Sequence, residues 1–270
     1  MSNYHHRHAV VTGASSGIGR ATAQALSEAG YAVTGTCRDP QGLGVADRIP
    51  GVTYHALDLT DAASIEQFAA GLETVSVLVN NAGESQCGAL EDTPIDDIRR
   101  LFEINVFGAV HLTQLLLPVL RAERGRVIVV GSMLASFPLA YRGAYVASKA
   151  AISGIAAVAR NELTPHGVEV IVVEPGSVAT GIRERRTEYS PHGSLYERDY
   201  DTVVAALNRN ENNGVSAKAV AKVIAHAANS PSTRAFYPVG RQARATYAVR
   251  RLLPTSWVNT LVHRRHGVVR

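Results

Sequence analysis

Tyr145 and Lys149 are separated by four residues and follow Ser132 in the stretch 132–149, Ser-Met-Leu-Ala-Ser-Phe-Pro-Leu-Ala-Tyr-Arg-Gly-Ala-Tyr-Val-Ala-Ser-Lys. On a helix the four-residue spacing puts phenol and ammonium on one face. A cation held beside a phenol favours the phenolate and turns a group of ordinary pKa near 10 into an acid–base catalyst for neutral pH. Ser132, placed at a strand end, would orient a carbonyl or hydroxyl between its own oxygen and that of Tyr145. Taken alone, a Tyr and a Lys at this spacing also describe an ordinary solvated helix face.

The elements around the stretch supply the positioning. Val127–Val130 is a short apolar run that reads as a buried strand, and the Ala-rich segment 150–163 reads as the body of a long helix ended by Pro165 and Gly167. Upstream, 8–12 is a strand leading into Thr12-Gly-Ala-Ser-Ser-Gly-Ile-Gly19 and then an amphipathic helix. Strand, glycine turn and helix together make a phosphate-binding loop, because glycines admit close backbone approach and the helix N-terminus offers N–H groups. The spacing is Gly13-x-x-x-Gly17-x-Gly19 rather than the commoner G-x-G-x-x-G.

Further strands are expected at 31–36, 52–57, 75–79, 168–173 and 235–239, alternating with helices at 61–72, 93–120 and 217–228. That alternation specifies an α/β fold: a Rossmann-type, doubly wound, seven-stranded parallel sheet with helices on both faces and ligands at the strands' C-terminal ends. Asn80 and Gly83 fall at such an end. Thr93 reads as a helix N-cap with Pro94 at the first helical position. Asn105 sits in an apolar helical stretch, either as a satisfied polar group or as something more. After the second strand comes Cys37-Arg38-Asp39. An acid there binds a ribose 2′-hydroxyl and an Arg accommodates a 2′-phosphate. Cys37 in the acid's place with Arg38 next favours NADP over NAD, whereas a one-residue change of register would bring Asp39 to the ribose.

Composition bounds the rest. The 270 residues are 46% hydrophobic and 19% charged, ordinary for a globular protein with a sizeable core. Residues 241–270 hold seven arginines and no acid, leaving 20 Lys+Arg against 23 Asp+Glu elsewhere, a net of −3. The chain has no run expected to span a membrane and no apolar signal region. Cys37 and Cys87 form no disulfide framework and have no metal-ligand spacing, which fits a reducing, cytoplasmic setting; the histidines near the N-terminus are not expected to bind metal. Residues 1–270 read as a single catalytic domain, with 181–214 as a polar, loop-like lid bearing Tyr189, Tyr196 and Tyr200. In the C-terminal extension, Leu252, Leu253, Trp257, Val258, Leu261 and Val262 have helical spacing around Pro254. That pattern suits either packing beside the substrate pocket or a neighbouring subunit, or peripheral contact with a membrane interface. The body of the chain lacks an aromatic-interleaved basic groove, so nucleic acid is not an expected partner.

Thr12–Gly19, Asp58, Asn80–Gly83, Asn105, Ser132, Tyr145-x-x-x-Lys149 and Pro175-Gly176, in this order, resemble the short-chain dehydrogenase/reductase family from about residue 8 to 240. The resemblance implies an NAD(P)-dependent oxidoreductase, most simply a ketoreductase or secondary alcohol dehydrogenase, assembled as a homodimer or homotetramer. It implies Tyr145 as acid or base, Lys149 as its partner and a ribose ligand, Ser132 holding the substrate oxygen, and Asn105 supporting a proton-relay water. Cofactor-binding positions implied are Gly13, Ser15, Ser16, Gly17, Ile18, Gly19, Arg38, Asp58, Leu59, Asn80, Ala82, Gly83, Tyr145, Lys149, Pro175, Gly176, Val178 and Thr180, for NADP(H) first and NAD(H) as the alternative. Ser132, Leu134 and Tyr145 are the expected substrate contacts, and Gln86, Phe137, Pro138 and Leu139 are expected nearby, around a small, hydrophobic carbonyl or alcohol. A cofactor-sensing regulator and an NAD-dependent dehydrogenase are the alternatives.

Overall fold

The computed structural model describes residues 7–190, 193–241 and 243–267. In chain order the elements are β1 (His8–Val11), α1 (Gly17–Glu28), β2 (Ala32–Cys37), β3 (Val52–Ala56), α2 (Ala62–Ala70), β4 (Val77–Asn80), β5 (Gln86–Gly88) and α3 (Ile95–Phe102). A π-helical turn, Glu103–Phe107, joins α3 to α4 (Gly108–Ala122). Then follow β6 (Arg126–Val130), α5 (Gly143–Leu163), β7 (Glu169–Pro175), β8 (Val178–Ala179), β9 (Thr187–Tyr189), α6 (Glu197–Asn212), β10 (Val215–Ser216), α7 (Ala217–Asn229), β11 (Phe236–Val239), α8 (Ala243–Leu252) and α9 (Thr255–Arg265).

Seven strands form one parallel sheet in the order β11-β7-β6-β4-β1-β2-β3. The order reverses between β1 and β4, and that reversal opens a crevice at the strands' C-terminal ends. Period-two alternation sorts the side chains: Ala9, Val11, Val77 and Val79 face a core shared with α1 and α7, while Val10 and Leu78 face the core beneath α2, α4 and α5. Both faces are covered, so β4 and β6 are continuous apolar runs rather than alternating ones. The doubly wound α/β fold is therefore as expected.

Three expectations change. The helix expected from Thr93 begins at Ile95, and Thr93 instead donates its hydroxyl to Ala89 O at 2.8 Å. With α3, the π turn and α4 joined, Ile95–Ala122 is a 28-residue helix that by length and composition could cross a membrane. Its Leu101, Leu112, Leu116 and Leu120 are nonetheless buried, the last three in the core against the sheet. Among the described residues of 181–214 the segment is not simply loop-like: α6 occupies 16 of them, burying Tyr200, Val203, Val204 and Leu207 in a cluster with Cys87 and Leu139. The stripe at i, i+3, i+4, i+7 drives this helix despite its charged neighbours.

The basic extension packs across the same end of the sheet. Tyr247 of α8 meets Phe137 and Phe236 edge-on at 5.2 and 5.0 Å, Arg250 Nε donates to Ser136 O at 2.7 Å, and Val262 of α9 joins the α6 cluster. Packing beside the pocket is thus the arrangement present, with Leu252, Trp257 and Leu261 left facing outward.

Candidate active site

The glycine loop is shaped by backbone demands. Gly13 and Gly17 have φ of +67° and +55°, and a Cβ would press on Ala82 Cα at 3.0 Å and on Thr180 Cβ at 3.3 Å respectively. Asn81 N and Ala82 N both donate to Thr12 Oγ1 at 3.0 Å, and Asn81 Nδ2 donates to Thr12 O at 2.9 Å, tying this loop to the end of β4. Ser16 begins α1 without a side-chain cap, and the first turn has no acid. The orphan N–H groups and positive helix end are therefore free for a phosphate, and the cradle fits a dinucleotide.

A cavity of about 830 Å³ runs from this loop over the sheet ends. It is lined by Gly13, Ser15, Ser16, Gly17, Ile18, Arg38, Asp58, Leu59, Ala82, Gly83, Ser132, Leu134, Tyr145, Lys149, Pro175, Gly176, Val178 and Thr180. Three expected residues do not line it. Gly19 packs behind the loop, 2.2 Å from Gly13 O to the position of a Cβ. Asn80 turns the other way and donates to Thr113 Oγ1 of α4 at 2.8 Å, leaving the cavity wall to Asn81. Asn105 is buried in the π turn: its Oδ1 accepts from Glu84 N at 2.8 Å, and its Nδ2 donates to Glu84 O at 3.1 Å and Ser148 Oγ at 3.0 Å. Ser148 Oγ in turn donates to Tyr145 O at 2.9 Å. Asn105 thus braces the helix of Tyr145 from behind.

Ser132 follows β6 in extended conformation and its Oγ accepts from Leu134 N at 3.2 Å. One turn into α5, Tyr145 and Lys149 are both buried. Lys149 Nζ donates to Val130 O at 3.0 Å and lies 6.0 Å from the Tyr145 ring centroid. Arg142, not singled out from sequence, stacks on the same ring at 4.2 Å; its position three residues before Tyr145 was the available signal. Of the expected pocket residues, Phe137 lines the cavity, whereas Gln86 donates to Asp97 O at 2.9 Å and Leu139 packs under α6. Pro138 does not line it either, and Tyr189, Tyr196 and Tyr200 are absent from the wall; Ile182, Leu207 and Val262 are among the residues that add apolar surface.

At the other end of the cavity, Thr60 donates N–H and hydroxyl to Asp58 Oδ1 at 2.8 and 2.7 Å. Those bonds, helped by Arg38 and Arg100, hold the Asp58 carboxyl below its usual range. Glu84 is gripped bidentately by Arg100 at 2.8 and 2.7 Å, with Arg38 at 3.8 Å. Asp39 Oδ1 accepts from Gln41 N and Gly42 N, closing its own turn away from the cavity.

Behind the site, Glu174 at the end of β7 accepts hydrogen bonds from Ser153 Oγ at 3.0 Å and from Tyr247 Oη. Burial pushes its carboxyl above the usual range, against the opposing pull of these bonds and of Arg250 and Lys149. A raised native pKa means the native state binds the proton more readily than the unfolded chain, so Glu174 costs stability above that pKa and the cost fades on acidification. E174Q should therefore unfold at a higher temperature than wild type at pH 8. The gap should close towards pH 4.5, as followed by thermal denaturation; a gap independent of pH would contradict this.

Comparison with known proteins agrees with the geometry. Residues 7–190 match the family model described as short chain dehydrogenase. The chain is 33% identical to the uncharacterized oxidoreductase YusZ of Bacillus subtilis over 94% of this chain and 96% of that one. It is 32% identical to an NADPH-dependent 3-dehydrocapnine reductase of Ornithobacterium rhinotracheale over 96% of each. The crystal structure of a short-chain dehydrogenase from Streptomyces avermitilis superposes with a TM-score of 0.81 at 31% identity, covering 95% of this chain and 97% of that one. On fold, motif order and these relatives together, the chain belongs to the short-chain dehydrogenase/reductase family, NAD(P)-dependent oxidoreductases acting on CH–OH groups.

Proposed function

We propose that the protein is an NADP(H)-dependent reductase of a small, hydrophobic carbonyl compound, or the dehydrogenase of the corresponding secondary alcohol. The observation that supports this best is the single cavity joining the phosphate cradle and Arg38 to Ser132, Tyr145 and Lys149. Bound along it, the nicotinamide cofactor supplies the hydride or takes it up.

Ser132 and Tyr145 hydroxyls donate to the substrate oxygen and form a small oxyanion site. Tyr145 delivers its proton to that oxygen, and the buried Lys149 ammonium, anchored on Val130 O, stabilises the charge left on the phenol oxygen. Both ends of the Asn105 amide are already bonded, so its part in the reaction is to brace the helix of Tyr145 through Ser148. Leu134, Phe137, Ile182, Leu207 and Val262 give the substrate end its apolar character. Reduction of a panel of apolar ketones, followed at 340 nm with NADPH and NADH, tests the reading.

Preference for NADP(H) is supported by three features. Cys37 ends β2 where an acid would bind the ribose, Asp39 is spent on its own turn, and Arg38 is 72% exposed with its ion-pair partner Glu84 already held by Arg100. The Ornithobacterium relative is named as NADPH-dependent. A charge-assisted phosphate contact is worth roughly 1.5–3 kcal/mol, so R38A should raise KM for NADPH about 10- to 100-fold and leave that for NADH within about twofold. Equal effects on the two coenzymes would contradict the assignment of Arg38 to the 2′-phosphate.

A further inference from the structure

Arg142 is a buried cation whose position the fold maintains at a cost. It is 3% exposed and is the residue from which α5 starts. Tyr141, just before it, has φ of +62°, the left-handed region that a bulky residue rarely occupies. That turn is fixed by Gly88 N donating to Tyr141 O at 2.9 Å and by Tyr141 packing edge-on with Tyr196 and Tyr200. Strain of this kind persists where the surroundings over-determine it, and here its product is the placement of the next side chain.

The guanidinium is held by neutral partners. Nη1 donates to Ser85 Oγ at 3.0 Å, Gln86 O at 2.8 Å and, at 3.4 Å, Cys87 Sγ. Among the described residues no carboxylate lies within ion-pairing distance: Glu211 acts on it only through space and is itself paired with Arg186. Nε is buried with no hydrogen-bond partner. A charge taken out of water is ordinarily matched by a partner of opposite sign. What Arg142 faces instead is the ring of Tyr145, 4.2 Å from the guanidinium carbon to the centroid, in the wall of the cavity. Arg142 precedes Tyr145 by three residues and Lys149 follows it by four, so both cations share its helix face, a turn to either side.

We propose that Arg142 is a positioning residue for the proton transfer: it fixes the Tyr145 ring by stacking and, with Lys149, stabilises the negative charge that grows on the phenol as its proton leaves. This rests on the reading of Tyr145 as the proton donor. A guanidinium over a ring gains strength as the ring becomes anionic, and it gains more in a site shielded from water.

The test compares R142M, R142K and Y145F in steady-state reduction of the best ketone of the panel, with NADPH binding and thermal unfolding measured for each. R142M should lose about 10- to 30-fold in kcat, the rate equivalent of one desolvated cation–π contact, with KM for the ketone and Kd for NADPH within about twofold. R142K, which restores the charge without the planar stack, should recover at least about a third of the wild-type kcat. A kcat for R142M within twofold of wild type overturns the proposal, as does an equal fall in R142K, which would mark a role of shape, or a raised KM at constant kcat, which would mark substrate binding. An active Y145F would instead overturn the reading of Tyr145, whereas an inactive Y145F beside an unimpaired R142M removes only Arg142. Should R142M not fold, S85A loosens the anchor while keeping the cation; a two- to fivefold drop in kcat at constant KM is then about what the lost hydrogen bond predicts, and no drop overturns the proposal.

Discussion

Y145F is expected to lose about 10²- to 10⁴-fold in kcat for carbonyl reduction while its affinity for NADPH stays within about twofold of wild type. The hydroxyl is the single atom removed. The ring keeps its buried place on α5, so its stacking on Arg142 and its distance from Lys149 survive the change. Ser132 remains to hold the substrate oxygen, which is why KM should change less than kcat: an interaction made fully only as the proton moves is lost from the transition state, not from the ground state. Steady-state kinetics beside a fluorescence titration with NADPH separates these quantities. A variant with near wild-type turnover would mean that another group delivers the proton.

G19A is the second large effect, and it acts through sterics rather than chemistry. A Cβ at Gly19 would stand 2.2 Å from Gly13 O and 2.4 Å from Asn81 Nδ2, and two of its three nearest atoms are backbone atoms of Gly13 that cannot swing aside. Relief requires α1 to move off the loop, and the loop is pinned by Thr12 N donating to Val79 O and Ala14 N to Thr36 O at 3.0 and 2.8 Å. Overpacking of this kind costs about 1–3 kcal/mol, with a loss of about 2–4 °C in Tm per kcal/mol. The helix end that receives the phosphate is displaced as well, so NADPH affinity should fall more than about 10-fold. G154A provides the control: nothing lies within 4 Å of its Cβ in α5, and the substitution should stabilise by up to about 1 kcal/mol. Equal behaviour of the two variants would contradict the account of the loop.

The parts of the molecule legible in the sequence are those in which one physical signal dominates. Val127–Val130 and Val170–Val173 are buried on both sides, and no competing pattern is available to such runs. Tyr145 and Lys149 lie on a long helix whose phase is set by its own length. Side-chain direction at element ends was harder to read. Asn80 and Asn81 were separable in principle, because Leu78 and Asn80 share one side of β4 while Val79 faces the other, but the alternation has to be carried past the strand's last residue. The charge of α6 conceals the helix in sequence: five buried apolar or aromatic residues hold a 16-residue segment that otherwise reads as polar. Its place beneath the C-terminal extension is a tertiary effect, visible in the Asn210–His266 contact at 3.2 Å and in the burial of Val262 with Leu207. In sequence Arg142 is a lone arginine before a helix, which is ordinary; its burial and its strained neighbour are what distinguish it.

Transfer of deuterium from the nicotinamide C4 of labelled NADPH to a ketone tests the account most directly. Mass spectrometry of the alcohol should show one deuterium on the carbinol carbon with the wild-type protein, at a rate that falls with Y145F. Binding of NADPH without transfer to any ketone of the panel would contradict the account and leave a cofactor-sensing protein in its place.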